Sequence, residues 1–293
     1  MINILFGFLI SLSVFASPRE EAQNLLEKFQ DYESVESRMD AFSKSFMEIP
    51  YDHSGPLGEG EHGRYDQDPL YRFDAFDCTT FVETVVSLAR SQDVDSFENN
   101  MNAIRYDNGE VDYLSRNHFP SLQWVPNNIK NGVLKEINHL VLQESETKMA
   151  EAVINLPGWL KKIKIEEIKV PLATMSERQN LLEELRALAP QYAPIIATIE
   201  YLPISTLLAK PIVLKKIPNA TIVNFVRPNW DLTDVAGTHM NVSHQGLIFQ
   251  KKDGTYLRHA STTGKVMEVV LLEYLKKFEN HPTLKGIHLM QVN

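Results

Sequence analysis

The chain has 293 residues, 43% of them hydrophobic and 23% charged, and a formal net charge of -9 at pH 7. That length and balance describe a globular protein able to bury a sizeable core, as one large domain or two small ones. The acidic charge, with no basic stripe set against it, excludes a nucleic-acid partner.

Residues 1–16 carry no charged side chain, contain the apolar run Ile4 to Ile10, and end on Val14-Phe15-Ala16. This pattern predicts a signal peptide cleaved after Ala16, a periplasmic or secreted protein, and no stable membrane association after cleavage. The alternative is a buried N-terminal helix or membrane anchor. Residues 17–293 are expected to form a single domain.

Arg19 to Met47 is helix-like, with Leu25, Leu26, Phe29, Val35, Met39, Phe42 and Phe46 at roughly helical spacing. Residues 50–70 change character, with Pro50, Gly55, Gly58, Gly60, Gly63 and Pro69, and predict a long loop of the functional kind.

Cys78, the single cysteine, follows this loop in Phe76-Asp77-Cys78-Thr79-Thr80-Phe81-Val82-Glu83. The apolar continuation predicts a buried helix with Cys78 at its start. Unpaired backbone N–H groups there favour the thiolate, the nucleophilic form. Asp77 opposes this unless its carboxylate turns into an N-cap. A lone cysteine in an exported chain has no internal disulfide partner, so its thiol is inert and buried, an intermolecular link, or reactive. Its helix position favours reactivity.

An irregular segment follows, from Ile104-Arg105-Tyr106 through Arg116-Asn117-His118-Phe119 to Trp124. Residues at about 132–216 read as a helical insertion, with Lys135 to Ile154 and Ser176 to Leu188 helical in composition and prolines as punctuation. Its bland role is packing over a sheet edge; its functional role is a lid or cleft wall. The C-terminal third is β-like. Ala220 to Val226 predicts one strand and Val266 to Leu272 another, while Gln245 to Gln250 and Thr255 to Ala260 flank the turn signal Lys251-Lys252-Asp253-Gly254.

A cysteine hydrolase needs a base beside its thiol and a third group to orient the base. His244 and His259 sit on the two strands of the predicted hairpin, where neighbouring strands bring side chains within reach. One imidazole can take the thiol proton while the other fixes its tautomer. Outside this trio, Arg116 and His118 are candidates for a substrate carboxylate or sugar hydroxyl, against a salt-bridge or capping role. Tyr71 and Arg72 are candidates for the cleft wall, against simple packing. A zinc site of Cys78, His239 and His244 fits no standard spacing, and no metal or other cofactor is expected.

The cysteine motif resembles the D-C-[ST]-x-F-V nucleophile motif of NlpC-type peptidoglycan hydrolases. Ser243-His244-Gln245-Gly246-Leu247-Ile248 is similar to their H-V-G-I strand, with Gln245 in place of the usual Val, and Leu257-Arg258-His259-Ala260-Ser261 to their I-H-A-S strand. Gly55 to Gly60, Asp68 to Arg72, Ile104 to Tyr106 and Ser115 to Phe119 resemble a narrower branch, the N-acetylmuramoyl-L-alanine amidase-like family. The resemblance implies an α+β, papain-like core, a nucleophile helix packed on an antiparallel sheet, with an N-terminal helical region and the long insertion. It implies Cys78 as nucleophile, His244 as base and His259 as orienter. The implied substrate is peptidoglycan or its muropeptides, the 1,6-anhydro form included, cut between N-acetylmuramic acid and L-alanine. The alternatives are a D-glutamyl-diamino acid endopeptidase of the same superfamily and a non-catalytic muropeptide-binding envelope protein.

Overall fold

The structure, a computed structural model, describes residues 17–293 except Pro56. The predicted signal segment therefore lies outside the described residues. Among the helices that precede the sheet are α1 (Pro18–Lys28), α2 (Val35–Ser45), α3 (Cys78–Ala89) and α4 (Val94–Arg105). Each begins at a Ser or Asp whose side chain accepts a hydrogen bond from a backbone N–H of the first turn. The helical stretch foreseen over 19–47 is thus two helices, because Ser34 caps a second one.

The strands are β1 (Leu134–Glu136), β2 (Lys148–Ile154), β3 (Ile195–Pro203), β4 (Thr221–Leu232), β5 (Thr238–Lys251), β6 (Gly254–Ser261), β7 (Lys265–Val270) and β8 (Gly286–Val292). They form one antiparallel sheet in the order β2-β3-β8-β4-β5-β6-β7, with β1 also on β8. The architecture is mixed α+β. Alternate residues of the central strands feed two cores. Ile222, Leu247 and Met290 pack with Phe81, Val82 and Val85 of α3. Val223, Ile248 and Leu289 pack on the other face, with Leu207 of α5 (Ile204–Ala209) and Leu271 and Leu275 of α6 (Leu271–Lys276). Nearly all of α3 is buried, as its apolar residues on more than one face require.

The insertion departs from the helical expectation. Within residues foreseen as helix, 148–154 is strand β2, and 195–203 is its partner β3. Ala150, Ala152 and Ile154 are buried while Met149, Glu151 and Val153 are exposed, the period of two that defines a half-buried strand. Lys, Met, Ala and Glu favour helices intrinsically, and pairing with β3 overrides that weak preference. The second helix does form, over Met175–Ala187. It helps build a separate core of Leu160, Ile163, Ile168, Leu182 and Leu185, closed by Tyr65 and Tyr113 from outside the insertion. The insertion therefore extends the sheet and grips the 50–70 loop. Arg64 and Tyr65 both bond Glu184, and Lys169 holds Asp68. Among the described residues no helix is long and apolar enough to cross a membrane.

Candidate functional site

Asp77 is the N-cap of α3. Its Oδ1 accepts the Thr80 N–H at 2.7 Å, and Thr80 Oγ1 accepts the Asp77 N–H at 3.0 Å. The carboxylate is thus turned into the cap, and Cys78 begins the helix half-buried. The backbone N–H of Gln245 is near enough to the thiol to lower its pKa, so the thiol rests against β5 at the residue after His244. Thr79 Oγ1 lies 4.0 Å from Sγ.

The hairpin supplies both histidines. β5 and β6 pair from Leu247↔Arg258 to Lys251↔Gly254, leaving a two-residue turn at Lys252-Asp253. His244 Nε2 and His259 Nδ1 are 2.6 Å apart. Gly246 makes this possible. A Cβ there would meet Leu257 Cδ1 at 2.8 Å and His259 Cβ at 3.0 Å, so any side chain would push β6 away. Phe225 packs on His244, and Tyr274 packs edge-on against His259.

Electrostatically the trio is neutral. Burial pushes the Cys78 thiol up to about 12, and Asp77 adds to the shift, against the Gln245 N–H. Desolvation thus outweighs the helix terminus, the reverse of the low thiol pKa expected from sequence. Burial holds His244 down at about 3 and His259 at about 4. For His244 to receive the thiol proton on Nδ1, its Nε2–H must donate to His259 Nδ1. His259 then carries its own proton on Nε2, a buried atom with no hydrogen-bond partner among the described residues.

Two tyrosines flank the thiol without any local signal in the sequence. Burial first and the nearby Cys78 second raise the Tyr51 phenol well above the ordinary range, keeping it a neutral donor. A parallel bridge between Tyr51 and Phe76 brings it there. Tyr274 is pushed up to about 12, by burial first and the nearby Cys78 second.

The other candidates divide. Arg116 and His118 line a cavity of about 200 Å³ with Asp77, Thr79, Glu83 and Trp124, beside the start of α3. Arg116 Nε donates to Glu59 Oε1 at 2.8 Å and Nη1 to the Leu57 carbonyl at 3.1 Å, with Asp66 3.7 Å away. Its charge is therefore met by the Gly-rich loop it holds. His118 is kept neutral, at about 3, by burial and then by Arg116, and its Nε2 donates to the Tyr113 carbonyl at 2.7 Å. A second cavity of about 190 Å³ shares Arg116 and His118 and adds Trp159, Glu167 and Lys169 of the insertion. Tyr71 and Arg72 line neither. Tyr71 is buried against Phe73 and Phe97 with its hydroxyl on Glu98 at 2.6 Å. Arg72 is paired with Asp74 at 2.6 Å. His239 faces Asp231 at 3.7 Å.

Beneath the site, Asn224, Gln245 and His288 stand side by side on β4, β5 and β8. Gln245 donates to Asn224 Oδ1, Asn224 bonds His288, and His288 reaches Glu136 at 2.9 Å. The Gln in the usual Val position is thus bound into a buried polar row.

Fold and site together define a mixed α+β protein whose helix-initial thiol meets a histidine-bearing antiparallel hairpin. The chain belongs to the N-acetylmuramoyl-L-alanine amidase-like family, which it matches over residues 41–284. Among solved structures it is similar to a Legionella pneumophila protein of the family DUF1460, with 34% identity and a TM-score of 0.89 over 94% of each chain. An N-acetylmuramoyl-L-alanine amidase from Bacteroides uniformis shares the fold at 21% identity, with a TM-score of 0.62 over 88% of this chain and 99% of that one. So does a Bacteroides fragilis protein provisionally named a xylanase, at 24% identity and a TM-score of 0.59 over 85% and 98%. No curated protein matches the chain.

Proposed function

We propose that the protein is an exported cysteine amidase of the papain-like NlpC type. It hydrolyses the amide between N-acetylmuramic acid, in reducing or 1,6-anhydro form, and L-alanine in peptidoglycan fragments. The observation that carries this reading is the 2.6 Å His244–His259 pair beside the capped thiol of Cys78, in a chain of the amidase-like family.

The chemistry follows from neutral partners. His244 Nδ1 takes the Cys78 proton as sulfur attacks the amide carbonyl, so the ion pair forms only as the bond forms. The Nε2–H···Nδ1 bond to His259 fixes the tautomer and stabilises the imidazolium. Negative charge growing on the carbonyl oxygen meets donors at the start of α3 and the neutral Tyr51 hydroxyl. His244 then protonates the departing amine of L-alanine, and water hydrolyses the muramoyl thioester with His244 as base again. The sugar lies toward Arg116, His118 and Trp159, where an aromatic face and polar groups suit a carbohydrate.

The test is to digest defined anhydro and reducing muropeptides with the wild type and with Cys78→Ala and to weigh the products. Free stem peptide beginning with L-alanine, absent with Cys78→Ala, is the expected result. Cleavage after D-glutamate would instead assign an endopeptidase. Binding without turnover would assign a muropeptide-binding protein. Export is tested by sequencing the N-terminus of the mature protein for a start at Ser17.

A further inference from the structure

We propose that Arg227, framed by Ser243, Thr283 and Trp230, is a carboxylate-binding subsite for the leaving half of the substrate. Arg227 lines a cavity of about 280 Å³ with Phe225, Trp230, Ser243, His244 and Tyr274. This cavity lies on the histidine side of the site, apart from the cavities around Arg116.

Three observations carry the proposal. The first is the missing counter-charge. Arg105, Arg116 and Arg258 are each held by a carboxylate, whereas Arg38 and Arg90 donate to backbone carbonyls. Arg227 donates only to two neutral hydroxyls, Ser243 Oγ at 2.9 Å from Nε and Thr283 Oγ1 from Nη1. No carboxylate lies within ion-pair distance of it among the described residues, and its Nη2 makes no hydrogen bond there. A half-buried guanidinium with free donors and no anion is built for bidentate capture of one.

The second observation is rigidity. The guanidinium lies over the Trp230 ring, 5.0 Å from its centroid, so its plane is set before any ligand arrives. The third is register. Phe225 pairs with His244 but Val226 pairs with Val242, so Ser243 is the extra residue of a bulge. The bulge lets Ser243 hold Arg227 while the next residue, His244, lines the same cavity.

The chemistry supplies the occupant, and here the inference rests on the amidase reading. His244 must protonate the departing amine, so the leaving peptide lies on the His244 side of the cleft. In a stem peptide that continues from L-alanine into a D-glutamate linked through its side chain, the α-carboxylate of that glutamate is free. Arg227 takes this carboxylate.

The test uses the full chain with Cys78→Ala, so that binding is read without turnover. Calorimetry compares the free stem peptide bearing the α-carboxylate with the same peptide carrying a carboxamide there. The carboxylate form is expected to bind at least about tenfold more tightly, and Arg227→Gln to abolish that preference while Arg227→Lys keeps part of it. Equal affinities with Arg227 in place, no binding of either peptide, or an equal loss for both in Arg227→Gln would overturn the subsite. If Arg227→Gln fails to fold, the carboxylate-to-carboxamide comparison in the Arg227 protein decides alone. Product masses from the wild type judge the amidase reading separately. A carboxylate preference without muramoyl-L-alanine cleavage would sink that reading and leave the subsite standing.

Discussion

His259 Nδ1 sits 2.6 Å from His244 Nε2, and in the proposed mechanism this one contact decides which nitrogen of His244 is left for the thiol of Cys78. Removing it frees the ring to turn or to take the wrong tautomer. We predict that His259→Leu lowers kcat roughly a hundredfold with little change in KM, and that His259→Asn recovers part of the loss. Steady-state kinetics on a muropeptide check this. Equal losses in the two variants would mean that His259 serves packing against Tyr274 alone.

The Cys78 thiol is held near 12 by burial and by Asp77. Little thiolate therefore exists at neutral pH without substrate. Alkylation of Cys78 by a haloacetamide should be slow at about pH 7 and climb steadily into the alkaline range. A rate plateau below about pH 7 would show a preformed ion pair and overturn the neutral resting state.

The two histidines also bear on acid stability. His259 is neutral and buried when folded, with its pKa down from 6.5 to about 4. The unfolded chain binds the proton more readily, so this contribution is complete above pH 6.5 and is lost as pH falls through about 4. His244, lowered to about 3, acts in the same sense. Melting temperature should fall across this window, and His259→Asn should flatten that part of the profile. Unchanged slope in the variant would contradict it.

Arg105 and Glu83 form a buried pair at 2.8 Å, and Glu83 also accepts the Trp124 indole N–H at 3.0 Å. Both line the cavity beside the start of α3. Removing one partner strands a buried charge, so Glu83→Ala should cost about 3–5 kcal/mol in denaturant unfolding. A loss below about 1 kcal/mol would show that water reaches the guanidinium.

Trp159 projects from the insertion into the cavity shared with Arg116 and His118. Trp159→Ala should raise KM for a sugar-bearing substrate roughly tenfold and leave the rate of Cys78 alkylation unchanged. A fall in kcat alone would place Trp159 outside the binding path.

What could be read from sequence follows the range of the interactions. Cys78 at a helix start, Asp77 as its cap and the hairpin joining His244 to His259 all depend on neighbours within a few residues, and the pattern shows them directly. The family resemblance of these motifs holds across residues 41–284. Tyr51, Tyr274 and Arg227 reach the site through distant strand pairing or packing, which leaves no local trace. β2 escaped notice because helix-forming side chains alternate on it, and the thiol's pKa because burial is a property of the finished fold. Tyr71 and Arg72 sit close to Cys78 in sequence, but their partners, Glu98 for the first and Asp74 and Asp52 for the second, are set by the fold.

The segment bearing Trp159 and Lys169 has its own small core of Leu160, Ile163, Leu182 and Leu185, while the thiol and both imidazoles are anchored in the main sheet and its helix. Such a cassette can be rebuilt or shortened at the cleft rim with the chemical centre left in register. On the proposed reading, retargeting toward other glycans would therefore begin there, with Tyr65 and Tyr113 kept as the surface on which any replacement must seat.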